Sequence, residues 1–266
     1  MVPALPLAPV LQQLRNQIDY AGLLEIIQRN GCTPVLQGPA RFGVERPEEE
    51  SGREKWFVEL RKLCSELQNS NQRLGIVVGG GLPAREAISL AKPFINDVHS
   101  LDEIGIAATR INATVIQQVL LQDGLDVATQ IPHDCDAAAN LLAQHHLVIM
   151  GGTTPGHTTD AVAVDFAIKS NANRCIIATN VSHVYDKDPR YNDDAQSFSE
   201  LSLAELAEIC GVGKARQAGQ SAVVDPVAVE WAVQASLAMS VLDGRDINTL
   251  TAAIAGREFV GTNITK

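Results

Sequence analysis

The 266-residue chain carries 21 basic and 31 acidic residues, a formal charge of −10, and has a mean hydropathy of +0.03. That length builds one large α/β domain or two ordinary ones around a substantial core, and the acidic balance argues against nucleic acid or an anionic membrane as a partner. Its five cysteines, Cys32, Cys64, Cys135, Cys175 and Cys210, are odd in number and never spaced C-x-x-C, so they suggest neither a disulfide framework nor a zinc site.

The chain opens with MVPALPLAPVLQQL, in which three prolines and a first positive charge only at Arg15 make the wrong pattern for a secretory signal. No later stretch approaches a membrane span, so a soluble, cytoplasmic protein is expected. A stripe of Leu11, Leu14, Ile18 and Leu24 predicts a helix over 7–28, within an extra amino-terminal helical segment 1–31. TPVLQ at 33–37 then reads as the first strand, and the charged RFGVERPEEESGRE at 41–54 as an exposed loop.

REKWFVELRKLCSELQ has helical period, with Trp56, Leu60, Leu63 and Leu67 on one side. LGIVV at 74–78 is the next strand, and LDEIGIAATRINATVIQQVLLQ the next helix, with Ile104, Ile111, Ile116 and Leu120 as its stripe. HLVIM at 146–150, CIIATN at 175–180 and MSVLD at 239–243 complete a series of nearly continuous apolar strands, as expected for strands buried on both faces. GREFVGTNITK at the carboxyl end reads as a final hairpin strand. Strands alternating with helices predict an α/β fold, a three-layer αβα sandwich around a mainly parallel sheet. No linker divides the chain, so residues 1–266 are read as a single domain.

Three stretches carry chemistry. Gly79, Gly80 and Gly81 follow a strand and precede a helix that Pro83 can begin, a place where backbone N–H groups favour an anion. MGGTTPGHTTDAVAVDFAIK repeats the arrangement after the strand ending at Met150. Capping explains one threonine and one aspartate there, whereas the density of Gly, Thr and His over 151–159 suits a ligand cradle at the carboxyl edge of a sheet. ATNVSHVYDKDPRY, with Tyr185, Asp186, Asp188 and Pro189, is either an Asp-Pro turn or a third part of that site. The six histidines show no metal-ligand spacing, and His145 and His146 read as a solvated turn. Neither a G-x-S-x-G elbow nor a G-x-x-x-x-G-K-[ST] loop occurs, so hydrolase and P-loop classes lack support.

VVGGGLPAR, LDEIGIAATRINA, MGGTTPGHTTDAVA, ATNVSHVYDKDP, AGQSAVVDP and GTNIT, in that order, resemble the amino acid kinase superfamily and most closely its archaeal-type uridylate kinases. The resemblance covers about 72–266 and implies an αβα sandwich, a hexameric assembly, and phosphoryl transfer from ATP with Mg2+ to UMP. It implies that Gly79 and Gly80 meet the acceptor phosphate and that Gly81 and Arg85 lie where donor and acceptor phosphates approach. It also implies that Asp102 contacts the ribose, that Thr153, Thr154, Gly156, His157, Thr158 and Thr159 wrap the acceptor, and that Asp160 sits beside the transferred group as a catalytic residue with Arg85. Thr179, Asn180, Tyr185 and Asp188, with Gly38 and Gly81, would line the ATP side; no metal ligand of the protein itself is implied.

The sequence departs from that pattern at three places. Gly38 stands where the family has its first phosphate loop, but Pro39 removes an N–H and Ala40 a hydroxyl. Ser182 and His183 replace Asp-Gly, a strained exchange if the glycine has positive φ. Glu230 reverses a charge where lysine is common. An active UMP kinase is the first reading; a degenerate relative that binds a nucleotide or oxyanion for regulation or storage, and a kinase acting on another small phosphate or carboxylate, are the alternatives.

Overall fold

The computed structural model describes residues 25–29, 47–189, 191–213 and 223–266. In chain order these form β1 (Glu25–Arg29), α1 (Pro47–Asn69), β2 (Leu74–Val77), α2 (Gly81–Ala91), α3 (Val98–Gln122), α4 (Cys135–Leu142), β3 (Leu147–Met150), α5 (Thr159–Lys169) and β4 (Ala172–Thr179). There follow β5 (Val184–Tyr185), β6 (Ser197–Phe198), β7 (Glu200–Ser202), α6 (Leu203–Cys210), α7 (Pro226–Ala235), β8 (Ala238–Asp243), α8 (Ile247–Ile254) and β9 (Gly261–Thr265).

Seven strands make one sheet in the order β3-β2-β1-β4-β8-β9-β7, with β5 and β6 as a separate pair. The sheet is mixed. β1 runs antiparallel to both β2 and β4, whereas β2 pairs in parallel with β3 and β4 with β8. The carboxyl ends of β2, β3, β4 and β8 therefore all emerge along one edge. Helix α5 packs across β1, β2 and β4 with α4 and α7 beside it, and α6 lies against α7; α3 packs against α2 and β3, and α8 against β8 and α1. The sheet is thus the middle layer between two sets of helices.

The apolar runs explain why. Leu74, Ile76 and Val77 of β2, Leu147 to Met150 of β3, and Cys175 to Ala178 of β4 have no exposed surface. Burial on both faces requires helices on both sides. In α1 the Leu60, Leu63, Cys64 and Leu67 stripe enters the core as its period predicts, and Trp56 Nε1 donates to Gly244 O at 3.1 Å.

Several expectations are corrected. Residues 25–29, expected as the end of a helix, form β1: the β-branched pair Ile26–Ile27 favours extended backbone, and the slot between β2 and β4 offers ladder partners on both sides. The strand expected at 33–37 and the remainder of the segment 1–31 lie outside the described residues. Residues 47–54, expected as loop, are the start of α1, whose first helical position is one where proline is well tolerated. β9 does run antiparallel to β8, but α8 connects them, so it is not a hairpin.

In α3 the buried stripe steps by four residues through Ala108, Asn112, Ile116 and Leu120, which leaves Ile111 off the stripe and 61% exposed. Among the described residues α3 alone is long and apolar enough to cross a membrane by length and composition. It packs instead within the fold, where its buried polar side chains Thr109, Asn112 and Gln117 are bonded to loops.

The described thiols Cys64, Cys135, Cys175 and Cys210 are all buried. Burial pushes Cys64 up to about 12 and Cys210 to about 11, so neither is a thiolate near neutrality.

His145 and His146, expected in a solvated turn, are instead half-buried and share Asp126, with Nδ1 to carboxylate distances of 2.7 and 2.9 Å. Burial works to raise Asp126, but hydrogen bonds from both rings and from the His146 amide outweigh it and hold the carboxyl at about 2. Because an unfolded aspartate titrates near ~3.9, the stability from this cluster is complete above about pH 4 and is lost as pH falls toward 2. Asp126→Asn should thus melt below the parent at pH 7, and acid titration followed by circular dichroism should show the two curves converging between about pH 4 and 2. A gap that stays constant to pH 2 would remove the carboxylate from the account.

Candidate active site

Two glycine loops leave adjacent strands of the carboxyl edge. β2 and β3 pair with Val77 opposite Met150, and Val78 N donates to Met150 O at 2.8 Å, so Gly79–Gly81 and Gly151–Gly152 emerge side by side. Gly81 opens α2 with φ +57°, a left-handed value that glycine adopts without strain. A Cβ on Gly80 would stand 2.5 Å from the Ala84 Cβ. The first N–H groups of α2 have no intrahelical acceptor, and the helix dipole adds to their pull on an anion. Arg85 lies exposed about one turn into α2.

The second loop is more tightly held by the protein. Gly152 N donates to Thr109 Oγ1 at 2.7 Å, and Gly156 N to Asp102 Oδ2 at 2.7 Å. Asp102 therefore already anchors the loop with one oxygen. These two amides are engaged, so this loop offers an anion less main chain than its glycine content suggests. The loop also carries the hydroxyls of Thr153, half-buried, and Thr154, exposed.

Thr158 caps α5, accepting from Ala161 N, and its hydroxyl donates to Asp225. Asp160, 5% exposed in the first turn of α5, accepts from Asp225 N at 2.9 Å. Asp225 also caps α7 through Val227 N. The His157 and Trp231 rings meet at right angles, with centroids 5.3 Å apart, and Trp231 belongs to α7. Loop, α5 and α7 are thereby joined around two nearly buried carboxylates. Thr159 is the first residue of α5.

The third group lies at the end of β4. Thr179, Asn180, Tyr185 and Asp188 line one cleft together with Lys187, Ile209 and Cys210. Because β4 and β2 both run antiparallel to β1, this cleft opens at the edge that carries the glycine loops. Gly244 N donates to Thr179 O, and Arg245, paired with Asp243, reaches Asn180 O at 3.3 Å.

The departures in sequence look different in three dimensions. His183 is not in the left-handed region, whose non-glycine members among the described residues are Asn71, Asn171 and Ser236, so the expected strain is absent. Its Nδ1 lies 2.9 Å from Ser182 Oγ, which lies 3.2 Å from the Tyr185 hydroxyl, and burial lowers its pKa. Glu230 is exposed on α7 and turns to Gln234 one helical turn on. Gly38, Pro39 and Ala40 lie outside the described residues.

Sequence reasoning assigned no role to Thr109, Asn112, Asp225 or Trp231. Asn112 gives a signal in hindsight, an amide in the middle of an apolar stripe of step four. Asp225 gives only the Asp-Pro pattern of a helix cap.

The sequence profile of the amino acid kinase family matches residues 47–243, which include both glycine loops and the β4 cleft. The chain belongs to the amino acid kinase family. A uridylate kinase of Methanococcus maripaludis (strain C5) is 40% identical over 204 residues, 77% of this chain and 88% of that protein. A uridylate kinase of Methanocaldococcus jannaschii is 36% identical over 201 residues, 76% of this chain and 87% of its own. The crystal structure of uridylate kinase from Archaeoglobus fulgidus superposes with a TM-score of 0.70 at 32% identity, covering 86% of this chain and 98% of that one. As a member of that family the chain places its matched motifs on the sheet edge where open α/β folds bind ligands.

Proposed function

We propose that this chain transfers the γ-phosphoryl group of ATP to UMP, giving UDP and ADP. The observation that carries the reading is the side-by-side exit of the two glycine loops from β2 and β3, with the β4 cleft on the same edge. The names of the relatives supply the substrate, uridylate.

In this reading the β4 cleft takes ATP against Tyr185, Thr179, Asn180 and Asp188. The 151–159 loop takes UMP, with Asp102 and the Thr153 and Thr154 hydroxyls available to the nucleoside. The acceptor phosphate rests on Gly79 and Gly80, and Gly81 with Arg85 faces the transferring group. Phosphoryl transfer asks for in-line positioning and neutralised charge rather than a covalent partner. Helix-terminal amides and a guanidinium supply both.

Magnesium takes one or two carboxylates beside substrate phosphates and keeps much of its water. Asp160 fits that demand as a nearly buried carboxylate at the loop, and would hold the ion that ATP brings, whose charge offsets that of the transferred group. A second copy of the chain as partner belongs to the same reading, supported by the exposed Leu90, Phe94 and Val98 where α2 meets α3.

The test is formation of UDP from Mg-ATP and UMP by purified protein, against Asp160→Ala, with the mass in solution read by light scattering. Turnover of about 1–100 per second supports the reading. No UDP above the variant removes it. Pro39 and Ala40 motivate the alternative of a binding protein without turnover, and stabilisation by UMP but not by ATP in thermal melts would favour that.

A further inference from the structure

One helix grips both loops. Asp102, Thr109 and Asn112 stand seven and three residues apart on α3, on one helical face. Asp102 takes Gly156 N and Thr109 takes Gly152 N, while Asn112 Nδ2 donates to Gly79 O at 2.9 Å and to Gly80 O at 3.1 Å. Thr109 Oγ1 in turn donates to Ile106 O at 2.6 Å, which fixes its lone pairs toward the loop.

A trans peptide is planar, so the carbonyl of one residue and the N–H of the next point in opposite directions. Drawing the Gly79 and Gly80 carbonyls toward Asn112 therefore turns the N–H groups of Gly80 and Gly81 away from α3. Those are the amides the first loop can offer an anion. Asn112 has no exposed surface, and its Oδ1 has no hydrogen-bond partner among the described residues. An apolar side chain would leave the Gly79 carbonyl without this donor, so the amide both satisfies that carbonyl and fixes its direction.

We propose that Thr109 and Asn112 are positioning residues for the transfer: α3 is a common strut that sets the direction of the Gly80 and Gly81 amides and holds the second loop at a fixed distance from them. The proposal rests on the phosphoryl-transfer reading given above. It assigns these side chains no contact with substrate.

Four proteins test it: the parent, Asn112→Leu, Thr109→Val and Thr109→Ser. Turnover of UMP, calorimetric affinity for UMP, melting temperature and amide hydrogen exchange at 151–152 are measured for each. Asn112→Leu should lose about 10- to 100-fold in kcat, the usual cost of misdirected donors, and should also melt somewhat lower because Gly79 O loses its donor. Thr109→Val should lose about tenfold or more in kcat/KM for UMP and unprotect the Gly152 amide, and Thr109→Ser, which keeps the hydroxyl, should restore both. Parent-like kcat in Asn112→Leu overturns the proposal, as does Thr109→Ser falling as far as Thr109→Val. A parent that binds UMP but makes no UDP defeats the transfer reading alone. The strut then stands if Asn112→Leu weakens UMP about tenfold or more and falls if it does not.

Discussion

Alanine at Gly151 is expected to cut UMP turnover by about 100-fold or more and to lower the melting temperature by about 4–12 °C. An added Cβ would stand 2.5 Å from Thr109 Oγ1 and 2.9 Å from both Arg110 N and Thr109 C. Two of those three atoms are α3 backbone, which moves only if the helix moves. Overpacking of this kind costs about 1–3 kcal/mol, and the displaced loop also gives up the Gly152 to Thr109 hydrogen bond, about 1 kcal/mol more. Arg110 resists a shift of α3, because its guanidinium is tied to Ile131 O and Pro132 O. Pairing the substitution with Thr109→Ala should recover only part of the loss, since the backbone contacts remain. Scanning calorimetry and the UDP assay check both statements; a Gly151→Ala protein with parent-like melting and turnover would show that the loop has room the geometry denies it.

How much of this was legible beforehand depends on the range of the interaction. The strands at Leu74–Val77, Leu147–Met150 and Ala238–Asp243 are continuous apolar runs, and such runs are themselves the requirement for burial on both faces. Gly79–Gly81 and Gly151–Gly152 announced a close approach. The sequence did not say that α3 makes that approach at Gly151, or that Thr109 takes up the Gly152 amide.

β1 was misread because Glu25–Arg29 is extended by its two neighbours in the sheet, a partnership 45 or more residues away in sequence for β2 and over 140 for β4. His183 looked strained because a replaced glycine invites the inference of positive φ. The backbone here has no such requirement. Pro47 with Glu48 to Glu50 is the opposite case, a helix start written in local residues and read as a charged loop.

The second large effect concerns Asp160. Asparagine there keeps an oxygen to accept from Asp225 N and nearly the same volume, so folding should be close to that of the parent. The negative charge is lost, and with it the carboxylate that the transfer reading places beside the transferred group. A carboxylate can favour the transfer only through the magnesium ion it would hold, and losing that preorganised charge should lower kcat by about 100- to 1,000-fold with KM for UMP changed little. Alanine should lower kcat as far but also leave the buried Asp225 amide without this acceptor, a further cost of about 1–3 kcal/mol in stability. Asp225→Asn separates the two roles: it keeps the main-chain donor to Asp160 while changing the side chain that receives Thr158 and caps α7, so it should perturb melting more than it perturbs kcat. If Asp160→Asn retained more than about a tenth of parental kcat, the charge at this position would be irrelevant to transfer and Asp160 would be a brace between α5 and α7.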